Sequence, residues 1–313
     1  MRDDGVECVV MEVSAHAIAL KKIAGIIFEV GVMTNVTEDH LDYFESFEKY
    51  AKTKTDFMNS PYVLSRVINV DDEILRKNIK ENNLAKITYG INNPADCFVA
   101  GLVMSIRGSN FILNFMDNVI EINSPLVGKY NIENIMAAFC ACSMLGVSFE
   151  ETKDAIASFS GVEGRFNVFS SNRGFDVVVD YAHTPDGLRN VLATVGGLTS
   201  GRLICVFGCG GDREKQKRPQ MARIAEKFCD EVIVTSDNPR YENPLDIIDE
   251  IKVGFLGKNH TEIEDRFEAI KYAMEIAKPH DIVIICGKGA EDYMEIRGEK
   301  HHFKDAEVVK QFL

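Results

Sequence analysis

Thr235-Ser236-Asp237-Asn238-Pro239-Arg240 lines up two hydroxyls, a carboxylate, an amide, a rigid proline and a guanidinium along one short stretch. The planar, five-donor fork of an arginine suits bidentate capture of a carboxylate. Taken alone, Asn-Pro-Arg also reads as an ordinary turn. Three further polar groups accompany it, each after an apolar run: Asp180-Tyr181-Ala182-His183-Thr184, Gly208-Cys209-Gly210-Gly211-Asp212-Arg213 and Gly287-Lys288-Gly289-Ala290-Glu291. Four such loops gathered at one sheet edge mark a binding site, because structural turns have no reason to accumulate there. In the first half, Met11-Glu12-Val13-Ser14-Ala15-His16 and Thr34-Asn35-Val36-Thr37-Glu38-Asp39-His40-Leu41-Asp42 form two more dense polar groups. Glu12 and His40, at the ends of neighbouring strands, suit a hard divalent cation shared with water and phosphate oxygens. A solvated Glu12 and a loop-capping His40 are the competing reading.

To bring these loops together, the second half must alternate strand and helix. Asp176–Val179, Leu203–Phe207, Val232–Val234 and Asp281–Ile285 are short apolar runs that read as buried strands. Helical patterns separate them, roughly Pro185–Val195, Pro219–Phe228, Pro244–Gly254 and Arg266–Ala277, with prolines suited to the first turn. Such alternation predicts a parallel, doubly wound sheet with right-handed crossovers, whose ligands bind at the carboxyl ends of the strands. The first half is less regular. Glu7–Val13 and Val30–Thr34 read as strands, Phe47–Met58 as a helix and 96–122 as hairpin material with turns near Gly108 and Asp117. Helices over Asn131–Leu145 and from Phe149 follow, the second with Ser148 as N-cap. Gly161-Val162-Glu163-Gly164-Arg165 reads as an inter-domain hinge.

With 313 residues, 46% hydrophobic and 27% charged, the chain can build two domains with proper cores. A net charge of −13 argues against a nucleic-acid surface. No apolar run reaches the length needed to span a bilayer, so no membrane insertion is expected. The eight cysteines are scattered, and Cys8, Cys205 and Cys286 lie in apolar runs where cysteine acts as a small hydrophobe. That usage points to a reducing cytoplasm, with neither a disulfide framework nor a zinc site.

The segments MEVSAHAIAL, TNVTEDHLDYF, KYAKTKTDF, GKYNIENIMAA, GVEGRF, VVDYAHTPDGL, FGCGGDREKQKRP, TSDNPR and GKGAEDY occur in the order seen in the Mur ligases, which this chain resembles over nearly its whole length. Among those enzymes the diaminopimelate-adding members resemble it most. The resemblance implies a partial central ATPase-type α/β domain over residues 1–165 and a Rossmann-like doubly wound C-terminal domain over 166–313. It implies an ATP-dependent amide ligase that adds meso-diaminopimelate to UDP-N-acetylmuramoyl-L-Ala-D-Glu in peptidoglycan synthesis. A substrate carboxylate takes the γ-phosphoryl group, and the amine of the amino acid attacks the acyl phosphate. Magnesium and cations neutralise the phosphoryl charge.

By the same resemblance, Glu12 and His40 are Mg2+ ligands, and Lys54 is the lysine that the family carbamylates to support a second metal. Asn131, Asn134, Arg165, Asp180, Tyr181 and His183 are the expected ATP contacts, with Lys217-Arg218 as candidate phosphate contacts. Ser14, His16 and Lys22 fall where the UDP-sugar substrate is held. Arg213, Asp237, Asn238, Arg240, Gly287 and Glu291 match the pocket for the added amino acid. Arg240 and Arg213 suit its distal carboxylate; Glu291 and Asp237 suit its ammonium. Lysine has no distal carboxylate and would leave Arg240 unpaired, which is how the pocket is expected to reject it.

The chain departs from the family pattern in several places. No G-x-x-x-x-G-K-[ST] run occurs in these residues, and Gly287-Lys288-Gly289 lacks its spacing. Ala15 stands in place of a serine, Lys22 of an arginine and Ala290 of a histidine. The expectation is the back two-thirds of a ligase, with negligible turnover by itself and an exposed central-sheet edge open to self-association. A lysine-adding ligase, a folate polyglutamate ligase and a non-catalytic binding or regulatory module are the rival readings.

Overall fold

The structure is a computed structural model. It describes every residue except Met1, Arg2, Asp4, Glu38, Asp39, His40, residues 80–83 and Lys258; the side chains of Leu41 and Asp42 are also outside the description. The residues group into two compact units, one of 1–103, 110–123 and 130–158, the other of 104–109, 124–129 and 159–313.

The first unit begins with α1 (Ala15–Ala19), β1 (Phe28–Met33), α2 (Leu41–Phe44), α3 (Phe47–Met58), β2 (Val63–Asn69), α4 (Glu73–Asn78) and β3 (Ala85–Gly90). A meander of β4 (Cys97–Ser105), β5 (Gly108–Phe115) and β6 (Asn118–Ser124) follows, then α5 (Lys129–Met144) and α6 (Phe149–Ser158). The strands form one sheet in the order β1-β2-β3-β4-β5-β6, with β1, β2 and β3 parallel. Met116 and Asp117, at φ 44° and 65°, close the β5–β6 turn. Two successive positive φ values match the twist of a tight hairpin. Ser148 caps α6 as expected: its Oγ accepts from the Glu151 N–H at 3.3 Å, and Glu151 Oε2 accepts from the Ser148 N–H at 3.1 Å. This reciprocal pair is a capping box.

One expected strand is absent. Residues 7–13 join no ladder among the described residues, Val10 is 97% exposed, and Cys8 is exposed rather than buried. An apolar run becomes a strand only when a neighbour supplies hydrogen-bond partners, and sequence alone does not reveal whether one is present.

The second unit runs β7 (Asn167–Ser170), β8 (Asp176–Asp180), α7 (Pro185–Gly196), β9 (Leu203–Phe207), α8 (Lys217–Phe228), β10 (Glu231–Val234), α9 (Pro244–Lys252), β11 (His260–Glu262), α10 (Arg266–Ile276), β12 (Ile282–Cys286), β13 (Tyr293–Ile296), β14 (Glu299–His302) and α11 (Asp305–Gln311). Its main sheet has the order β11-β10-β9-β12-β8-β7, parallel throughout except for the edge strand β7. Alternate residues of each strand enter different cores. Val178, Cys205, Phe207, Val234 and Ile284 pack with Leu188 of α7, Met221 of α8 and Ile248 of α9. Val177, Ile204, Val206, Ile233 and Ile285 pack with Ile270 of α10 and Val309 of α11. Burial on both faces is why these strands read as unbroken apolar runs. The chain steps from β8 to β9, β10 and β11, then returns to place β12 between β8 and β9. At such a reversal the strand-end loops diverge and leave a crevice. The doubly wound architecture expected for the second half is therefore present. Pro185 and Pro244 open α7 and α9, behind Thr184 and Asn243 as N-caps.

Candidate functional site

The loops after β8, β9, β10 and β12 meet at the carboxyl edge of the second unit's sheet. The β9 and β10 loops are joined by their backbones, Gly211 N–H donating to Asn238 O at 2.9 Å. Asn238 is the hub of the β10 loop. Its Oδ1 accepts from Lys288 Nζ at 3.1 Å and from the Glu295 N–H at 2.9 Å, while its Nδ2 donates to Glu291 Oε2 at 2.9 Å. Lys288 Nζ also lies 3.3 Å from Glu291 Oε2, and its side chain is wholly buried. A buried ammonium must be paired, and these two groups pair it.

Arg240 extends from the same loop with φ 51°. Its Nη1 donates to Gly211 O at 2.8 Å, its Nε lies 3.2 Å from Glu295 Oε2, and its side chain is 19% exposed. Main-chain bonds, Arg240 N–H to Glu295 O at 3.0 Å and Arg297 N–H to Arg240 O at 2.7 Å, fix it against β13. Arg213 is exposed, and a Cβ built on Gly210 would lie 2.8 Å from Arg240 Nη1 and 3.7 Å from Arg213 Cγ. The two arginines therefore flank one glycine. Asp237 is buried against the β12 loop: a Cβ on Gly287 (φ +121°) would stand 2.5 Å from its Oδ2. Of the six residues expected to select an amino acid, Asn238, Arg240 and Glu291 are thus tied into one hydrogen-bonded cluster through Glu295 and Gly211. Asp237 and Gly287 are in close approach on the adjoining loops, and Arg213 is exposed beside Gly210.

Four of the residues expected to meet ATP, Arg165, Asp180, Tyr181 and His183, lie in this unit. Tyr181 lies beneath the Arg165 guanidinium, 4.6 Å from ring centroid to Cζ, and its ring centroid is 4.6 Å from that of His183. Lys217 Nζ donates to His183 O at 3.0 Å. Asp180 faces inward. Its carboxylate accepts from the Phe166 and Ala182 N–H groups, both at 2.8 Å, and burial pushes its carboxyl above the usual range. Gly164 (φ +74°) touches the β12 loop so closely that a Cβ there would lie 1.9 Å from Ala290 N. Gly164→Ala should therefore cost about 2–4 kcal/mol in the second unit, read as a fall in denaturation midpoint.

Arg218 departs from expectation. It is neither a free phosphate contact nor a solvated residue: its side chain is wholly buried and bonded to Glu242 at 2.9 Å and Glu250 at 2.7 Å. Those partners lie 24 and 32 residues away, beyond the reach of local pattern. Its hydrogen bonds hold the Glu242 carboxyl down to about 2. A carboxyl depressed on folding stabilises above its unfolded pKa, about 4.3, and loses that contribution as pH falls towards the folded value. The second unit should lose thermal stability between pH 4.5 and 2, the window set by about 4.3 unfolded and about 2 folded, and Glu242→Gln should flatten that loss.

In the first unit, Ser14 Oγ caps α1 by accepting from the Ala17 N–H at 3.1 Å. The His16 ring packs on Tyr43 and Phe44, with centroids 4.4 and 5.4 Å away. Glu12 and Lys22 are exposed. Lys54 is half-buried on α3, its Nζ donating to Tyr50 OH at 3.2 Å. His40 lies outside the described residues, and among those described no three His, Cys, Asp or Glu side chains are grouped to hold a metal. Asn131 and Asn134 share a face of α5, half-buried and exposed respectively. No described helix is long and apolar enough to cross a membrane.

Sequence reasoning passed over Lys288, Glu295 and Arg266. The one available signal was a lysine set between two glycines at the end of a buried strand.

Comparison with known proteins matches residues 1–142 to the Mur ligase middle domain and residues 164–289 to the Mur ligase glutamate ligase domain. The chain is 42% identical over 316 residues to UDP-N-acetylmuramoyl-L-alanyl-D-glutamate--2,6-diaminopimelate ligase of Clostridium tetani, covering 100% of this chain and 64% of that protein. It is 41% identical over 318 residues to the protein of the same name from Bacillus cereus, covering 99% and 65%. A solved structure of a ligase of that name superposes at TM-score 0.67 and 38% identity, covering 96% of this chain and 63% of the other. The structure of MurF ligase from Thermotoga maritima in complex with ADP shares the fold at TM-score 0.70 and 20% identity, covering 96% and 64%. The chain thus spans just under two thirds of the length of the curated relatives it matches.

Proposed function

Because the chain belongs to the Mur ligase family, we propose that its second unit selects meso-diaminopimelate for addition to UDP-N-acetylmuramoyl-L-Ala-D-Glu in peptidoglycan synthesis. The observation that carries this is the cluster at the β10 and β12 loops. It sets the Arg240 guanidinium and the carboxylates of Asp237 and Glu291 on adjoining loops joined through Asn238. Diaminopimelate carries a carboxylate and an ammonium at its distal end, and this pairing of charges is complementary to both. Arg240 and Arg213 take the carboxylate, and Asp237 and Glu291 take the ammonium. Lysine has no distal carboxylate to meet the guanidinium donors left over beside Glu295, so the cluster favours diaminopimelate.

In the proposed reaction the glutamyl carboxylate attacks the γ-phosphorus of ATP, releasing ADP and forming an acyl phosphate. The amine of the amino acid then attacks the acyl carbon, a proton leaves the nitrogen, and phosphate departs from the tetrahedral intermediate. Tyr181 and Arg165 offer a stacked surface for adenine, next to His183. Asp180 holds that loop through Phe166 and Ala182. Asn131 and Asn134 are proposed as further ATP contacts, and Ser14, His16 and Lys22 as contacts to the UDP-sugar. Mg2+ is proposed to be held by Glu12, His40 and a carbamate on Lys54, neutralising phosphoryl charge; the exposed oxygen donor of Glu12 suits a hard cation. Cytoplasmic residence, where ATP and UDP-linked substrates are made, and self-association through β1, which pairs only with β2 among the described strands, are part of the same proposal.

These 313 residues contain no G-x-x-x-x-G-K-[ST] run. A polypeptide of these residues alone is therefore proposed to bind the amino acid yet turn over at least about 10²–10³-fold more slowly than ordinary enzymes. Calorimetry with meso-diaminopimelate, paired with phosphate release from ATP, tests this. Binding without turnover is expected. Ordinary turnover contradicts the proposed inactivity, and absence of binding contradicts the pocket.

A further inference from the structure

We propose that Arg266 is the positioning residue of the amino-acid pocket, one buried guanidinium that ties the β10 and β12 loops to the start of α11. The inference rests on the reading of those loops as that pocket. Arg266 opens α10 behind its N-cap Asp265 and has no exposed side-chain surface. Its Nε and Nη2 pair with Asp305 Oδ1 and Oδ2, both at 2.8 Å, in the first turn of α11. Its Nη2 also donates to Cys286 O at 3.0 Å, and its Nη1 donates to Ser236 O at 3.3 Å. Nη1 further lies 4.0 Å from Asp237 Oδ2.

The two carbonyls are those of the residues immediately before Asp237 and Gly287. The fork therefore grips each loop one residue ahead of its ligand-facing part. Behind the β10 loop the side-chain packing is open: a cleft of about 670 Å³ is lined by Ser236, Pro239, Arg266, Met294 and Phe303. On this side the loop is held by Arg266 together with Glu264 O, which accepts from the Ser236 N–H at 3.2 Å and from Thr235 Oγ1 at 3.1 Å. A fork offers five donors in fixed geometry, whereas an ammonium at the same place cannot reach both carbonyls and Asp305.

A buried ion pair can be exchanged for apolar residues with little loss of stability, whereas removal of one partner strands a charge. The test is therefore the double variant Arg266→Met/Asp305→Leu, with Arg266→Lys beside it, each measured for melting temperature, amide exchange and calorimetric binding of meso-diaminopimelate. In the double variant melting should shift little. The Gly211 and Arg240 amides, bonded to Asn238 O and Glu295 O, should exchange at least about tenfold faster. Affinity for the amino acid should fall at least about tenfold, since small misplacements of positioning groups have large effects. Arg266→Lys should keep stability through Asp305 and still bind weakly.

Wild-type exchange and affinity in the double variant overturn the proposal, as does full rescue of affinity by lysine, which would make charge alone sufficient. Faster loop exchange in the variant together with no binding by the unmodified chain supports the clamp and rejects the pocket reading instead.

Discussion

Replacing Arg240 with alanine is expected to lower the affinity for meso-diaminopimelate by on the order of 10²–10³-fold and to leave affinity for L-lysine within a few-fold of its starting value. The size of the effect follows from the setting. The guanidinium is 19% exposed, so an anion that meets it is partly out of water. Its Nη1 is committed to Gly211 O and its Nε faces Glu295, which fixes the plane of the fork before a ligand arrives. A carboxylate meeting a fixed fork forms paired charge-assisted bonds without the ordering cost of a mobile side chain. Lysine has no carboxylate at that end and loses nothing when the fork is removed. Arg240→Lys should recover only part of the affinity, because an ammonium supplies charge without the planar pair of donors. Titration calorimetry on the three proteins separates these outcomes. Equal losses for both amino acids would assign Arg240 a purely structural role.

Lys288→Met is expected to destabilise the second unit by about 2–3 kcal/mol, because it removes the buried cation that bonds Asn238 and faces the Glu291 carboxylate. The ammonium bonds Asn238 Oδ1 and faces Glu291 Oε2, residues 50 and 3 positions away in sequence. Without it, Asn238 keeps the Glu295 N–H as donor to Oδ1 and its own Nδ2 bond to Glu291 Oε2, but the cation shared by amide and carboxylate is gone. Glu291 is 24% exposed, so water compensates part of its loss and the cost stays at the lower end for a broken buried pair. Diaminopimelate affinity should fall by about 10–10²-fold through disorder of these two groups. Denaturant unfolding gives the first quantity and calorimetry the second. A double-mutant cycle with Glu291→Gln should show coupling of about 1–3 kcal/mol, and strict additivity would separate Lys288 from the pocket.

The second unit was readable in the sequence because its parallel strands are buried on both faces. Val177 to Val179 and Leu203 to Phe207 are apolar at every position, and Pro185 and Pro244 mark helix starts behind capping residues. Residues 7–13 show the limit of such reading. They have strand-like composition, yet no neighbour supplies a ladder among the described residues. The pocket was half legible. Asp237, Asn238, Arg240 and Glu291 declare themselves as polar groups following buried strands. Lys288, Arg266 and Arg218 do not, because a lysine or arginine in a loop or first helical turn reads as solvated. Their burial depends on anions and carbonyls far along the chain, such as Asp305, 39 residues from Arg266. Long-range pairing of buried cations leaves no local periodicity to detect.

The strand-end cluster is proposed to distinguish amino acids by a distal carboxylate. Its most direct test is the ratio of dissociation constants for L-lysine and meso-diaminopimelate, measured calorimetrically on the 313-residue chain. The cluster predicts a ratio of at least about 10², the affinity forgone when the guanidinium, partnered by Glu295, meets no ligand carboxylate. A ratio near one, or tighter binding of lysine, would contradict it.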